Sequence, residues 1–282
     1  MKDSALSANL LALMSEDTNA FRIEYQRGAM NYIGSKHSCL SQIFPLIPIT
    51  DRWVDVYGGS GVVTLNRPRV KFEVYNDRHS GLVAFYKMIS SEAGTQALKE
   101  RCSLFPHSRE LFIDYLKGWE VEDDLERAAR WYYIVQTSVM GRCEAFGRDL
   151  KAYNTVYRKI HEQLELFPII HDRFKNVLVE NLDWRQCLGD FDSPDTVFYM
   201  DPPYWGSDIY EHKMDKIAHI EMCGRIFECK GFVAVSGYAN EVYDQFPWDG
   251  VHRIEVDNQI ANMFGPKTAD RTEWLWIKEA YV

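Results

Sequence analysis

The chain predicts an α/β protein: a mostly parallel sheet with helices between its strands, interrupted by a mostly helical insertion and closed by an antiparallel hairpin. Three observations carry this expectation. From Trp53 strand and helix signals alternate, with Trp53-Val-Asp-Val-Tyr57 as a strand, Gly58 to Asn66 as turn and helix, Phe72-Glu-Val-Tyr75 as a strand and Ser80 to Ile89 as an amphipathic helix. A βαβα succession needs crossovers that lay its strands parallel. Between about 95 and 175 the apolar spacing turns helical, clearest in Leu125 to Val139 and Val156 to Leu166, and strand signals stop. The last two strand-like runs, Val251 to Val256 and Trp274-Leu-Trp-Ile277, have no helical segment between them, which predicts the hairpin. Further strands are expected at Val177-Leu-Val179, Val197-Phe-Tyr-Met200 and Phe232-Val-Ala-Val235, with a helix at about 213 to 229 and a shorter one near 240 to 246. The expected organisation is a tail over 1–26, a sheet domain over 27–94 and 176–282, and the helical insertion over 95–175.

Bulk properties admit a globular protein of this size. Of 282 residues, 46% are hydrophobic and 26% charged, so the chain can bury a core and is not of the disordered class. No run of about 18 apolar residues exists, and the N-terminus lacks the basic-then-apolar layout of a secretory signal. A cytoplasmic location without a membrane span is expected. Six cysteines are scattered without a CxxC pair, so neither a zinc site nor a disulfide framework is signalled. A formal charge of −9 argues against gripping DNA by bulk electrostatics. That charge is uneven, however. Glu120 to Glu126 is acidic, whereas Arg142, Arg148, Lys151, Arg158, Lys159, Arg173 and Lys175 make the next stretch basic, which permits nucleic acid on one face.

Asp201-Pro202-Pro203-Tyr204 follows the apolar run Thr196 to Met200 directly. Two prolines fix φ and lack donors, so the chain leaves the sheet stiffly and presents Asp201 and Tyr204 with little freedom. A ring beside a carboxylate suits a flipped nucleobase, stacked on its face and hydrogen-bonded at its edge; a plain strand-terminating turn is the alternative. Tyr57-Gly58-Gly59-Ser60-Gly61 follows the first strand, where glycines let backbone approach a ligand closely. No Gly-Lys-Ser/Thr follows and the GxGxxG spacing is incomplete, so this is neither a P-loop nor a full dinucleotide fingerprint. Asp77, at the end of the second strand, is placed to accept from ribose hydroxyls or to cap a helix. In Asn31-Tyr32-Ile-Gly34-Ser35-Lys36, a fixed lysine would neutralise a ligand carboxylate with Tyr32 packed nearby. Asp183, in Glu180-Asn-Leu-Asp-Trp184, would accept from an adenine amino group or cap a helix.

Together and in this order, these segments resemble the Dam-type DNA adenine-N6 methyltransferases, the alpha group of amino-methyltransferases, over roughly residues 30 to 90 and 176 to 278. Tyr32 to Lys36 is similar to that family's N-terminal cofactor motif. Asp55 to Gly61 is similar to its glycine motif around the methionine moiety, which would give Asp55, Tyr57, Gly59 and Gly61 cofactor contacts. Asn76-Asp77 matches the ribose motif, Asp183 an acidic position near the cofactor adenine, and Asp201 to Tyr204 the catalytic motif, with Asp201 also beside the cofactor. Arg271 to Ile277 looks like the family's last strand.

The resemblance implies a Rossmann-like methyltransferase sheet and target recognition by the helical insertion. It also implies S-adenosyl-L-methionine as methyl donor, double-stranded DNA as partner and no metal. Asp201 and the Pro202 carbonyl would accept from the adenine amino group, and Tyr204 would stack on the extruded base. Arg142, Arg148, Lys151 and Lys267, the last in Asn262 to Lys267, would contact DNA. A restriction enzyme is a further partner such a protein can have, and the residues identify none. Val56 stands where the family usually has proline, His79 sits in a motif that often carries Asn-Pro, and 140–151 resembles the GATC-reading region only loosely, which leaves the recognition site open. The same pocket could serve adenine in RNA or a protein glutamine, although the glutamine group usually carries Asn at the position of Asp201. A non-enzymatic DNA-binding protein on a decayed scaffold is the remaining alternative.

Overall fold

Seven strands form: β1 (Arg52–Asp55), β2 (Phe72–Asn76), β3 (Leu178–Glu180), β4 (Thr196–Met200), β5 (Phe232–Tyr238), β6 (Gly250–Ile254) and β7 (Glu273–Lys278). The computed structural model describes residues 25–148, 155–205, 214–255 and 272–281. Its helices are α1 (Leu40–Ile43), α2 (Val62–Asn66), α3 (Ser80–Ile89), α4 (Glu92–Ser103), α5 (Arg109–Gly118), α6 (Asp124–Thr137), α7 (Thr155–Leu164), α8 (Phe167–Phe174), α9 (Trp184–Phe191) and α10 (Lys216–Glu228). Side-chain caps set where several of them begin: Ser91, Ser108, Asp123, Asp183 and Asp215 each accept a first-turn backbone N–H of the helix that follows.

The strands make one sheet in the order β3-β2-β1-β4-β5-β7-β6. Pairs from β3 to β5 are parallel. The closing hairpin is antiparallel as expected, with β7 inserted between β5 and β6. This is a Rossmann-like sheet, with the terminal antiparallel hairpin the sequence predicts. β4 is buried at all five positions because helices cover both faces of the parallel sheet. Alternate side chains serve the two sides: Val54, Val74, Phe198, Met200, Val233 and Val235 pack on α9 and α10, while Trp53, Tyr199, Ala234, Leu275 and Ile277 pack on α1 and α2.

The helical stretch α4 to α8 shares one core with α3 and Tyr75 of β2, through Leu98, Phe112, Ala128, Tyr132, Ile160, Phe167 and Phe174. A buried ion pair, Arg173 with Glu73 at 2.6 Å, ties α8 to β2. No helix among the described residues is long and apolar enough to cross a membrane. The chain passes from β1 to β2 on one side and returns to β4 on the other, so a crevice opens at the carboxyl ends of β1 and β4. Open α/β sheets bind their ligands at such a switch point.

Candidate active site

A cleft of ≈ 640 Å³ occupies that crevice. Of the residues singled out in the sequence, Tyr32, Lys36, Tyr57, Gly59, Asp77, Asp183 and Asp201 line it, joined by His79, Leu182, Trp184 and Pro203. Asp55, Gly61, Pro202 and Tyr204 do not. Lys151 and Lys267, with the rest of the loop 262–267, lie outside the described residues.

The glycine turn is held from behind. A Cβ on Gly58 would meet the Tyr75 ring at 2.2 Å, so only glycine fits there. Gly59 and Gly61 adopt φ of 50° and 66°, the left-handed region that glycine enters freely. The Tyr75 hydroxyl donates to the Gly59 carbonyl at 2.8 Å, and the Tyr86 hydroxyl donates to the Ser60 carbonyl. Asp77 Oδ2 accepts the Gly59 N–H at 2.8 Å and Oδ1 accepts the His79 N–H at 2.7 Å. The cap of α3 is therefore His79, whose ring accepts from Gly81, and not Asp77. Across the cleft, a Cβ on Gly59 would stand 3.8 Å from the Tyr32 ring, so a side chain there would occupy ligand space.

Asp55 corrects its expected place. It points under the turn into the core, 1% exposed, and accepts the Thr64 hydroxyl at 2.8 Å. Its Oδ1 has no hydrogen-bond partner among the described residues. Burial, partly offset by Thr64 and reinforced by the charges of Asp201 and Asp77, pushes its carboxyl up to about 7. Gly61 likewise faces inward, where a Cβ would strike the Tyr86 hydroxyl at 2.2 Å. Asp183 does both things expected of it in position: it caps α9, accepting the Arg185 N–H at 3.0 Å, and it lines the cleft.

The Asp201 turn is braced on every side. Lys36 Nζ donates to Asp201 Oδ2 at 2.5 Å, to the Tyr204 hydroxyl at 2.7 Å and to the Gly34 carbonyl at 3.2 Å. Those three bonds use all three ammonium donors. Lys36 is thus committed to the Asp201 turn, which leaves it no donor to neutralise a ligand carboxylate. Although burial disfavours its charge, Asp201 and then Glu273 hold its pKa well above the ordinary lysine value. Ser236 donates to Asp201 Oδ1 at 3.1 Å, and the Tyr199 hydroxyl donates to Ser236 at 3.0 Å. His219 Nε2 lies 3.1 Å from the Pro203 carbonyl; a carbonyl only accepts, so Nε2 carries the proton and Nδ1 accepts from the Tyr243 hydroxyl at 3.0 Å. Burial lowers the His219 pKa, which favours that neutral form.

Tyr204 is half-buried, its hydroxyl donating to Glu273 at 2.8 Å and its ring 4.4 Å from that of Tyr238. Glu273, Ser236 and His219 were missed in the sequence. Ser236 and His219 carry no local signal, and the signal available at Glu273 is only that an acidic residue directly precedes the apolar run Trp274 to Ile277.

The cleft has a small acidic excess: Asp77, Asp183, Asp201 and Asp215 line it against Lys36, Arg78 and Arg185, of which Lys36 is bonded to Asp201 and Arg185 is paired with Glu221 and Asp183. A ligand with positive charge suits such walls.

A family model for the D12 class of N6 adenine-specific DNA methyltransferases matches residues 32–231, which hold the glycine turn, Asp77 and the Asp201 turn. The chain belongs to this D12 family. It is similar to the DNA N-6-adenine-methyltransferase of Escherichia phage P1, 26% identical over 197 residues, covering 64% of this chain and 24% of that protein. It is also similar to Modification methylase LlaI of Lactococcus lactis subsp. lactis, 26% identical over 196 residues, covering 64% of this chain and 30% of that protein. The chain thus spans under a third of the length of these two relatives.

Of the basic residues expected to face DNA, Arg148 is exposed and Arg142 half-buried, 3.8 Å from Glu144. Arg173 is buried against Glu73, which removes it from any DNA face, and Arg158 and Lys175 pair with Glu162 and Asp172. The segment carrying Arg142 presses on the strand of chain before Tyr32: a Cβ on Gly141 would sit 1.8 Å from the Asn31 carbonyl.

Proposed function

We propose that this protein transfers a methyl group from S-adenosyl-L-methionine to N6 of a flipped adenine in double-stranded DNA. The observation that carries the reading is Asp201, rigidly held at the end of β4 on the wall of a nucleoside-sized cleft with family-typical glycine and acidic residues opposite. The donor fits the residues present. Its cationic sulfonium suits the carboxylate-rich walls, Gly59 leaves open the space a side chain would fill, and ≈ 640 Å³ lies within the ordinary range of ligand pockets. Tyr32, Tyr57, Asp77 and Asp183 would hold it. When bound, it supplies an electrophilic methyl group.

The chain's own residues do the rest. The adenine amino lone pair is delocalised into the ring, so the amine is a poor nucleophile until acceptors draw its hydrogens out of plane. Asp201 would accept one N–H and the Pro202 carbonyl the other. Each Asp201 oxygen has one donor, from Lys36 or Ser236, and a carboxylate oxygen has a further lone pair to offer. Tyr204 would stack on the extruded base, a contact worth roughly 1–3 kcal/mol. Catalysis is then mostly positioning and electrostatics. Arg142 and Arg148, beside the chain leading to Tyr32, would meet DNA phosphates from the helical stretch that reads the target. A DNA substrate is in keeping with the expected cytoplasmic location.

The test is transfer of labelled methyl from S-adenosylmethionine to unmethylated duplex DNA, followed by nucleoside analysis. N6-methyladenine is expected from the wild type, and a loss of about a hundredfold or more from Asp201→Ala with cofactor affinity retained. Label found in RNA or protein instead, or near-normal activity of that variant, would refute the reading.

A further inference from the structure

Glu273 is a buried carboxylate that opens β7, ahead of the apolar run Trp274 to Ile277 and outside the residues that match the family model. It is 6% exposed, and Lys36 beside it is 5% exposed. Tyr204 donates to its Oε1 at 2.8 Å, and the Lys36 ammonium, 2.5 Å from Asp201, lies 3.6 Å from the same oxygen. One cation therefore serves two carboxylates. Were Lys36 paired with Asp201 alone, the pair would be neutral and the ammonium would draw most of the negative charge that must attract substrate N–H groups. With Glu273 present the cluster keeps a formal charge of −1, and the Tyr204 hydroxyl is fixed between Lys36 and Glu273.

We propose that Glu273 is a positioning residue of the methyl-transfer site: by sharing Lys36 with Asp201 and anchoring Tyr204, it preserves the acceptor strength of Asp201 and the setting of the Tyr204 ring. This rests on the proposed methyl transfer to adenine. The groups around Glu273 are Lys36 and Cys39 from the N-terminal segment, Tyr199, Asp201 and Tyr204 from β4 and its turn, and Tyr238, its register partner on β5. Its β6 partner, Ile254, is apolar. Burial raises the Glu273 carboxyl above its ordinary value against the pull of Lys36. Protonation on the acid side would remove the charge of the second carboxylate and leave Lys36 to neutralise Asp201 alone.

The experiment compares wild type with Glu273→Gln, which keeps an oxygen to accept from Tyr204 and removes the charge. Expected are a fall in kcat of about tenfold or more, a cofactor Kd within about twofold, and loss of the acid limb of kcat against pH that Glu273 contributes. Glu273→Asp, which restores the charge on a shorter stem, should recover part of kcat and the limb, and it serves if the glutamine variant does not fold. An active wild type with an indistinguishable kcat and pH profile in Glu273→Gln overturns this inference alone. A wild type that makes no N6-methyladenine overturns the proposed function beneath it.

Discussion

Asp55→Asn should make the protein's stability less sensitive to alkali. Asp55 is raised from an ordinary 3.8 to about 7 by burial, then by Asp201 and Asp77, against the Thr64 hydrogen bond. A raised acid binds its proton more tightly in the folded than in the unfolded chain. Its contribution is therefore fully present below the unfolded value, and it is lost as pH rises through the folded one. Each pH unit between the two is worth 1.36 kcal/mol, so from about pH 5 to about pH 8 the wild type should lose about 3 kcal/mol that the amide variant does not. The amide still accepts from Thr64, while its NH2 takes the place of an oxygen that has no partner. An unpartnered buried amide adds a constant penalty of about 1–3 kcal/mol, which shifts the variant's curve without tilting it. Urea unfolding of both proteins without ligand, at a series of pH values, reads the gap directly. Parallel curves would refute the assignment of a buried, half-satisfied acid at this position.

Two further outcomes follow from the glycine turn. Asp77→Ala removes the acceptor of the Gly59 and His79 N–H groups, and losing one charge-assisted bond, about 1.4 kcal/mol, means about tenfold weaker cofactor binding by calorimetry; an unchanged Kd would release Asp77 from the site. Gly61→Ala forces a left-handed φ of 66° on alanine and drives its Cβ to 2.2 Å from the buried Tyr86 hydroxyl. Strain and overpacking together should lower unfolding free energy by about 2–5 kcal/mol, and an unaltered urea midpoint would count against this geometry.

The parts of the fold that were legible in the sequence are those whose cause is local. Apolar runs such as Thr196 to Met200 declare a doubly covered strand, and Ser80 to Ile89 has the bounds that its periodicity predicts. The cleft lining was legible wherever a residue sits at the carboxyl end of a parallel strand, because topology alone brings such positions together: Gly59 after β1, Asp77 after β2 and Asp201 after β4. What side chains do once there was less legible. Lys36 reads as a free charge in sequence and is bonded to Asp201, 165 residues away. Asp55 reads in sequence as part of the same motif as Tyr57 and Gly59, yet it is the last residue of β1 and shares the face of Trp53, the α2 side, whereas Tyr57 and Gly59 lie in the turn beyond the strand, where its alternation no longer holds. Arg173 counts toward a basic stretch until Glu73, 100 residues earlier, is found beside it.

The helical stretch between β2 and β3 also bears on the cleft itself, and this shapes how recognition could reach the chemistry. The α6 residue Trp131 lies 3.9 Å from the ring of His79 and meets Tyr32 edge-on at 6.5 Å, so one indole supports two walls of the pocket. One turn further on, the Gln136 amide donates to the Ala29 carbonyl at 2.8 Å and accepts the Asn31 N–H at 3.3 Å. Gly141 then packs against Asn31 just before Arg142. Residues that would touch DNA and residues that would touch the methyl donor are thus joined by one buried helix face rather than by a flexible linker. Packed interiors transmit displacement instead of absorbing it, so a shift of the Arg142 segment on DNA must be felt at Tyr32 and His79. Binding of the two substrates is for that reason expected to be coupled, and by linkage the coupling must be equal in both directions.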